Sequence, residues 1–200
     1  MTGAVGGSST FHGSPTTTNA NCSAYVMRLN GSTGAMEYLA IGPGSGGGSH
    51  FVPHDITQGK DGLIHVGGSF MGTVSIGGTS IIASNGEDLF VLSLSSTLNL
   101  RKLSSASGHH DQIMSSIAAD AYGGVVISGT YQDELLFTGH TIQGSDGQDN
   151  AFVAFAEFGD HAPNPNNPAE FTSQAVCRGS TTDLTNWMAP MVHGHATGVI

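Results

Sequence analysis

The sequence predicts an all-β fold assembled from an internal repeat of about 61 residues. Three observations predict it. Val, Ile, Phe and Thr occur in short clusters bounded by Gly, Asn, Asp and Ser, the pattern of strands joined by turns. No window of useful length carries a clean helical stripe. Residues 106–122 are rich in Ala and Ser, yet they hold adjacent His109, His110 and Asp111. Finally, Asp61-Gly-Leu-Ile-His-Val-Gly-Gly-Ser-Phe70 recurs as Tyr122-Gly-Gly-Val-Val-Ile-Ser-Gly-Thr-Tyr131, so that Gly68 maps onto Gly129.

The middle copy predicts strands near 63–70, 73–82, 88–95 and 98–104. Val74-Ser-Ile76 and Phe90-Val-Leu92-Ser-Leu94 alternate as half-buried strands do. Gly67-Gly68 and Gly77-Gly78 fall at strand ends, where turns or close backbone approach suit glycine. The match runs on downstream, with Val74, Ile76 and Ile81 recurring as Leu135, Phe137 and Ile142. Asp88-Leu-Phe90-Val91 recurs as Asp149-Asn-Ala-Phe152-Val153, with one residue added. In the first copy Val5-Gly-Gly aligns with Val66-Gly-Gly, which sets Met1 at the place of Gly62, and the matching later strand is Ala24–Leu29. At the other end Val192 aligns with Ile117 and Ile56, and Gly198-Val-Ile200 with Gly62-Leu-Ile64. Gly44-Ser-Gly-Gly-Gly48 reads as a flexible loop, as does Pro163-Asn-Pro165-Asn-Asn-Pro168.

A repeat of four strands is the signature of a propeller blade. The expected fold is therefore all-β, a partial β-propeller of about three four-stranded blades forming a single section over residues 1–200. The blade-like repeats are 1–53, 54–115 and 116–185, with 186–200 starting a fourth. A three-fold β-prism or β-trefoil is the alternative. Three blades alone would leave two open apolar sides, so the expectation is a section of a longer array.

Composition narrows the function. Lys and Arg total 5 against 15 acids, a formal charge of −10. Nucleic acid and anionic membranes need clustered cations, which this chain lacks. No apolar run reaches the ~20 residues of a membrane-spanning helix.

The run Asp61-Gly62-x3-Val66-x-Gly68-x-Phe70-x-Gly72-x-Val74-x-Ile76-Gly77-Gly78, followed by Gly86-x-Asp88-x-Phe90-Val91-x2-Leu94, resembles the SBBP (seven-bladed β-propeller) repeat family. Asp111-x5-Ile117-x2-Asp120-x2-Gly123 and Gly147-x-Asp149 continue the likeness. It covers residues 1–158 and, loosely, 183–200. The first copy lacks the leading Asp-Gly and carries an insert at 14–23, and 159–182 is longer than its counterparts. The resemblance implies a propeller fold; with scarce Lys and abundant Ser, Thr and Gly it points to an extracellular or cell-surface protein. It implies no particular activity.

Candidate chemistry is sparse. His50-x3-His54-Asp55, His109-His110-Asp111 and His193-x-His195 each lack the three or four converging ligands of a metal site. Asp61, Asp88, Asp111, Asp120 and Asp149 sit beside turn glycines, where a carboxylate bonds nearby backbone N–H groups. Structural calcium stays open at Asn85–Asp88 and Ser145–Asp149, although neither has EF-hand spacing. No nucleophile elbow or phosphate loop is present. Cys22 and Cys177 lie in inserts, and pairing is open. Asn21-Cys22-Ser23 and Asn30-Gly31-Ser32 fit the N-glycosylation acceptor pattern. Trp187 aligns with Phe51 and Gln112 and reads as a packing residue. No catalytic, cofactor or metal residue is assigned. The expected function is a non-catalytic extracellular scaffold whose loops bind a protein or glycan. The alternatives are part of a propeller-fold glycan hydrolase or lyase, and a three-fold lectin.

Overall fold

The computed structural model describes residues 1–11, 14–17, 22–41, 44–120, 123–137, 140–145, 147–157 and 174–176. Among these the chain is all-β, in antiparallel sheets none of which closes on itself. The expected elements from 177 to 200 lie outside the described residues, as do Cys177, Trp187, His193 and His195.

The first stretch supplies β1 (Thr2–Val5), β2 (Ser8–Phe11), β3 (Ser14–Thr17), β4 (Ser23–Leu29) and β5 (Met36–Ile41). β1, β4 and β5 form the first sheet in that order, and β2 and β3 pair as a hairpin. The second stretch supplies β6 (Gly44–Gln58), β7 (Ile64–Ile76), β8 (Thr79–Ile82), β9 (Asp88–Leu94) and β10 (Leu100–Ala106). Its sheet runs β6-β7-β9-β10, with β8 folded onto the far end of β7. The third supplies β11 (Gln112–Ala119), β12 (Gly124–Gln132), β13 (Glu134–Phe137), β14 (His140–Gln143), β15 (Asp149–Glu157) and β16 (Gln174–Val176). Its sheet runs β11-β12-β15-β16, and β13 and β14 pair as a hairpin. The second and third sheets are thus four-strand meanders with a hairpin arm after the second strand.

Two expectations need correction here. Residues 63–70 and 73–82 are not separate strands. β7 runs from the first into the second through Gly72, at φ 75°, and ends at Ile76; the chain then turns at Gly77-Gly78 and returns as β8, so that the expected strand 73–82 is a hairpin in which Ile76 pairs with Thr79. The remaining strand of the second sheet is β6, ahead of the Asp61-Gly62 turn. The Gly44–Gly48 run, expected as a loop, is the start of β6. Gly44 and Ser45 pair with Val74 and Thr73, a backbone ladder that needs no side chains.

A single cross-strand pair fixes the phase of the repeat. Gly68 pairs with Phe90 and Gly129 with Phe152. In each pair a Cβ on the glycine would strike the aromatic ring, and it would also strike the carbonyl oxygen of Val52 or of Ile113. Glycine is required there because ring and neighbouring strand occupy the space of a side chain. The first sheet repeats the pair as Gly3 and Tyr25. Gly3, and not Gly7, is therefore the counterpart of Gly68. The Gly6-Gly7 pair imitates Gly67-Gly68 in sequence, four residues beyond the lone Gly3 that holds the structural position. The same register matches buried Asp88 with buried Asn150, not with exposed Asp149.

The sheets stack in a row. Ala24 and Val26 of the first sheet join Phe51, Phe70, Phe90 and Leu92 of the second in one core. Leu89, Val91 and Ala106 on the opposite face of the second sheet join Met114, Tyr131, Leu135 and Phe152 of the third in another. All seven residues of β9 are consequently buried. The alternating sequence predicted a half-buried strand; β9 instead lies in a sheet covered on both faces, the arrangement that removes such alternation. β12 and β15 keep theirs, with Val126 and Val153 on the open side.

Candidate functional site

Of the polar residues singled out by sequence, Asp55, Asp61, Asp88, His109, His110, Asp111 and Asp120 gather at the two ends of the seam between the second and third sheets. At one end, the turns entering β9, leaving β10 and leaving β12 form a rim. Asp88 is fully buried there, and its carboxylate accepts from Ser84 N at 3.0 Å and Gly108 N at 3.2 Å. Burial pushes this carboxyl up, and the two amides only partly offset that. Asp111 accepts from Glu87 N at 3.1 Å and so ties the start of β11 to the turn before β9. His110 Nε2 lies 2.9 Å from Asp133 Oδ2, and His109 Nε2 lies 3.7 Å from Glu134 Oε1. Asp133 occupies the left-handed region at φ 59° and accepts from Gly147 N at 2.7 Å. Asp tolerates that conformation better than most residues. The rim therefore joins the two histidines of one turn to the two acids of the next. Buried Gln112 completes it, donating from Nε2 to His110 O at 2.6 Å.

At the other end the seam is latched by β6. Asp55 Oδ2 accepts from Ser116 Oγ at 2.8 Å and from Ile117 N at 3.0 Å. Burial by itself raises this carboxyl, but the bonds from Ile117, Ser116 and Ile56 together hold it below the usual aspartate value. Thr57 Oγ1 accepts from Ala119 N at 3.3 Å. His65 lies beside them, fully buried, with Nδ1 2.8 Å from Ser93 Oγ. Burial lowers its pKa, while Asp61 and Asp120 pull it upward. Sequence reasoning passed over His65 because it stands in a strand with no flanking ligand pattern. Its repeat position is a valine, Val126, and that contrast was a usable signal.

Four of the five turn aspartates accept backbone N–H groups as expected: Asp61 from Leu63, Asp88 from Ser84 and Gly108, Asp111 from Glu87, and Asp120 from Gly124. Asp149 instead accepts from Gln132 Nε2 at 2.8 Å. His54 stands 3.3 Å from Ser69 Oγ. His50 and His54 lie on strand β6, where a bulge between Pro53 and Asp55 interrupts the register. The structure brings neither of them to the histidines of the rim. Among the described residues no three His, Cys, Asp or Glu side chains converge as a metal site. Asn30 Oδ1 accepts from Ser32 N and Thr33 N and shapes the turn after β4. Cys22 is half-buried, which raises its thiol pKa, and its carbonyl accepts from Phe51 N at 3.0 Å. A groove of about 650 Å³ opens between the first two sheets, lined by Val26, Arg28, Ile56, Thr57, Ile64 and Leu98. Among the described residues no helix is long and apolar enough to cross a membrane.

No family model matches the chain, and no curated protein matches it.

Proposed function

We propose that the chain is a non-catalytic, extracellular scaffold of the β-propeller type, whose stacked sheets hold a polar rim for binding a protein or glycan. The observation that carries this reading is the Gly–aromatic pair recurring at Gly3 and Tyr25, Gly68 and Phe90, and Gly129 and Phe152. One blade unit repeated in a row accounts for it. The two described cores join the first sheet to the second and the second to the third, with none joining first to third. That favours a row of blades over a three-sided lectin. Asp55, Asp88, Asp111 and Asp133 at the rim and seam are engaged by backbone amides, a structural use that supports binding over catalysis. Rigid sheets presenting variable turns are the usual platform for recognition.

The test is binding of the purified chain to arrayed glycans and surface proteins, alongside assays for glycan cleavage. Binding without turnover that His110→Ala and Asp133→Ala weaken supports the reading. Turnover abolished by one carboxylate substitution sinks it.

A further inference from the structure

Asparagine followed by glycine is the dipeptide most open to self-modification. The glycine carries no side chain to screen its nitrogen, so that nitrogen can attack the amide carbon of the asparagine side chain. The chain holds this dipeptide twice, at Asn30-Gly31 and Asn85-Gly86. Unfolded, the two share one chemistry. The fold sets them apart.

Asn30 is clamped. Its Oδ1 accepts from Ser32 N and Thr33 N, both at 3.0 Å, and its Nδ2 donates to Glu37 Oε1 at 3.1 Å. Its amide carbon cannot turn toward Gly31 N without giving up these bonds. Asn85 is exposed in the turn between β8 and β9, and among the described residues no hydrogen bond holds its side chain. Its amide is free to swing onto Gly86 N.

The turn that carries Asn85 is anchored across the rim on both sides of it. Ser84 N donates to Asp88 Oδ2 at 3.0 Å, and Ser84 Oγ to Gly108 O at 2.7 Å. Glu87 N donates to Asp111 Oδ1 at 3.1 Å, and Glu87 O accepts from Gln112 N at 2.7 Å. Gly86 sits so close to the start of β11 that a Cβ there would stand 2.7 Å from Asp111 Oδ1.

We infer that Asn85 is a site of self-modification, at which water converts the asparagine to isoaspartate and loosens the rim joining the second sheet to the third. Gly86 N bonds to Asn85 Cγ and gives its proton to hydroxide. The bond from Cγ to Nδ2 breaks, and Nδ2 takes a proton from water and leaves as ammonia. Water then opens the cyclic imide. Cleavage at the backbone carbonyl gives isoaspartate, and cleavage at Cγ gives aspartate; nothing is oxidised or reduced. Either product adds a negative charge to a turn that already holds Glu87 and Asp88, on a chain of net charge −10. Isoaspartate also routes the backbone through Cβ and Cγ, which inserts one carbon between the anchors at Ser84 and Glu87. Anchors set for the ordinary spacing cannot both be kept. Nothing in this chemistry depends on what the rim binds.

The test is incubation of the folded 200-residue chain in mildly alkaline buffer. Isoaspartate is detected by enzymatic methyl transfer from S-adenosylmethionine and located by peptide mapping. It is expected to accumulate several-fold faster at Asn85 than at Asn30. In guanidinium the two rates converge, because the clamp on Asn30 is gone. The aged parent chain melts at a lower temperature than the fresh one. Asn85→Gln, which would have to close a larger ring, keeps its melting temperature through the same incubation. Fresh Asn85→Asp has the charge without the added carbon and melts close to the parent. Equal rates at the two sites in the folded chain, or a difference that persists in guanidinium, overturns the assignment of the site to the fold. Conversion at Asn85 with no fall in melting temperature, an aged Asn85→Gln that softens as much as the parent, or a fresh Asn85→Asp as soft as the aged parent overturns the loosening by isoaspartate.

Discussion

The Met114 sulfur of the third sheet occupies the space that a Cβ on Gly67 of the second would need. The two residues are 47 positions apart, and their contact sets the distance between the sheets. Gly67→Ala is expected to cost toward the low end of the ~1–3 kcal/mol typical of overpacked cores, because a thioether can move aside. Combined with Met114→Ala, its cost should shrink, and a double-mutant cycle from urea unfolding measures the coupling.

Gly68→Ala and Gly129→Ala should be worse. Their obstacles are the carbonyl oxygens of Val52 and Ile113 as well as the rings of Phe90 and Phe152. Backbone cannot retreat as a methionine tip can. Losses at or above the top of that ~1–3 kcal/mol range are expected, and trimming either ring should recover only part. Equal urea midpoints for Gly67→Ala and Gly68→Ala would contradict this account.

Asp55 latches β11 through Ile117 N and Ser116 Oγ. Asp55→Ala should destabilise by about 1–2 kcal/mol at neutral pH, since it strips a charged acceptor from a partly exposed site. The folded carboxyl lies below its ordinary value, so its contribution is present above 3.8 and lost as pH falls through the folded value. The acid limb of a stability profile should be shallower in Asp55→Ala than in the parent.

His65 acts with the opposite charge logic. Its folded pKa is depressed below the ordinary 6.5 by burial. The unfolded chain therefore takes up the proton first. Stability from this residue is complete above 6.5 and declines as pH falls from there toward the folded value. His65→Gln should flatten that part of the profile while leaving the acid limb of Asp55 in place. Unfolding midpoints across mildly acidic pH will show whether the slope disappears.

Asp88 runs counter to both. Its carboxyl is raised above 3.8 by burial, so the folded state gains relative stability as pH falls through the raised value. Asp88→Asn should cost less than Asp88→Ala. The amide keeps one acceptor for Ser84 or Gly108, and Asn150 already fills this position in the third sheet, accepting from Ser145 N at 3.3 Å. Alanine leaves both amides without their partner, worth ~1–3 kcal/mol when buried.

Much of the architecture could be read before any coordinates. Apolar clusters between glycines identified strands, and the recurrence of Gly68 as Gly129 identified the repeat that the second and third sheets obey. The turn aspartates declared their backbone role through their place beside glycine. These are local signals, because a strand, a turn and a repeat are each written within a few residues. The phase of the first copy was not legible. Gly3 and the Gly6-Gly7 pair competed, and only the pairing of Gly3 with Tyr25 chose between them. The Gly44–Gly48 run looked like a loop because its strand character comes from a partner, β7, and not from its own side chains. The burial of all of β9, the latch from Asp55 to Ile117 and the enclosure of His65 were equally hidden. Each arises where one sheet covers another, and sequence adjacency carries no record of which faces touch.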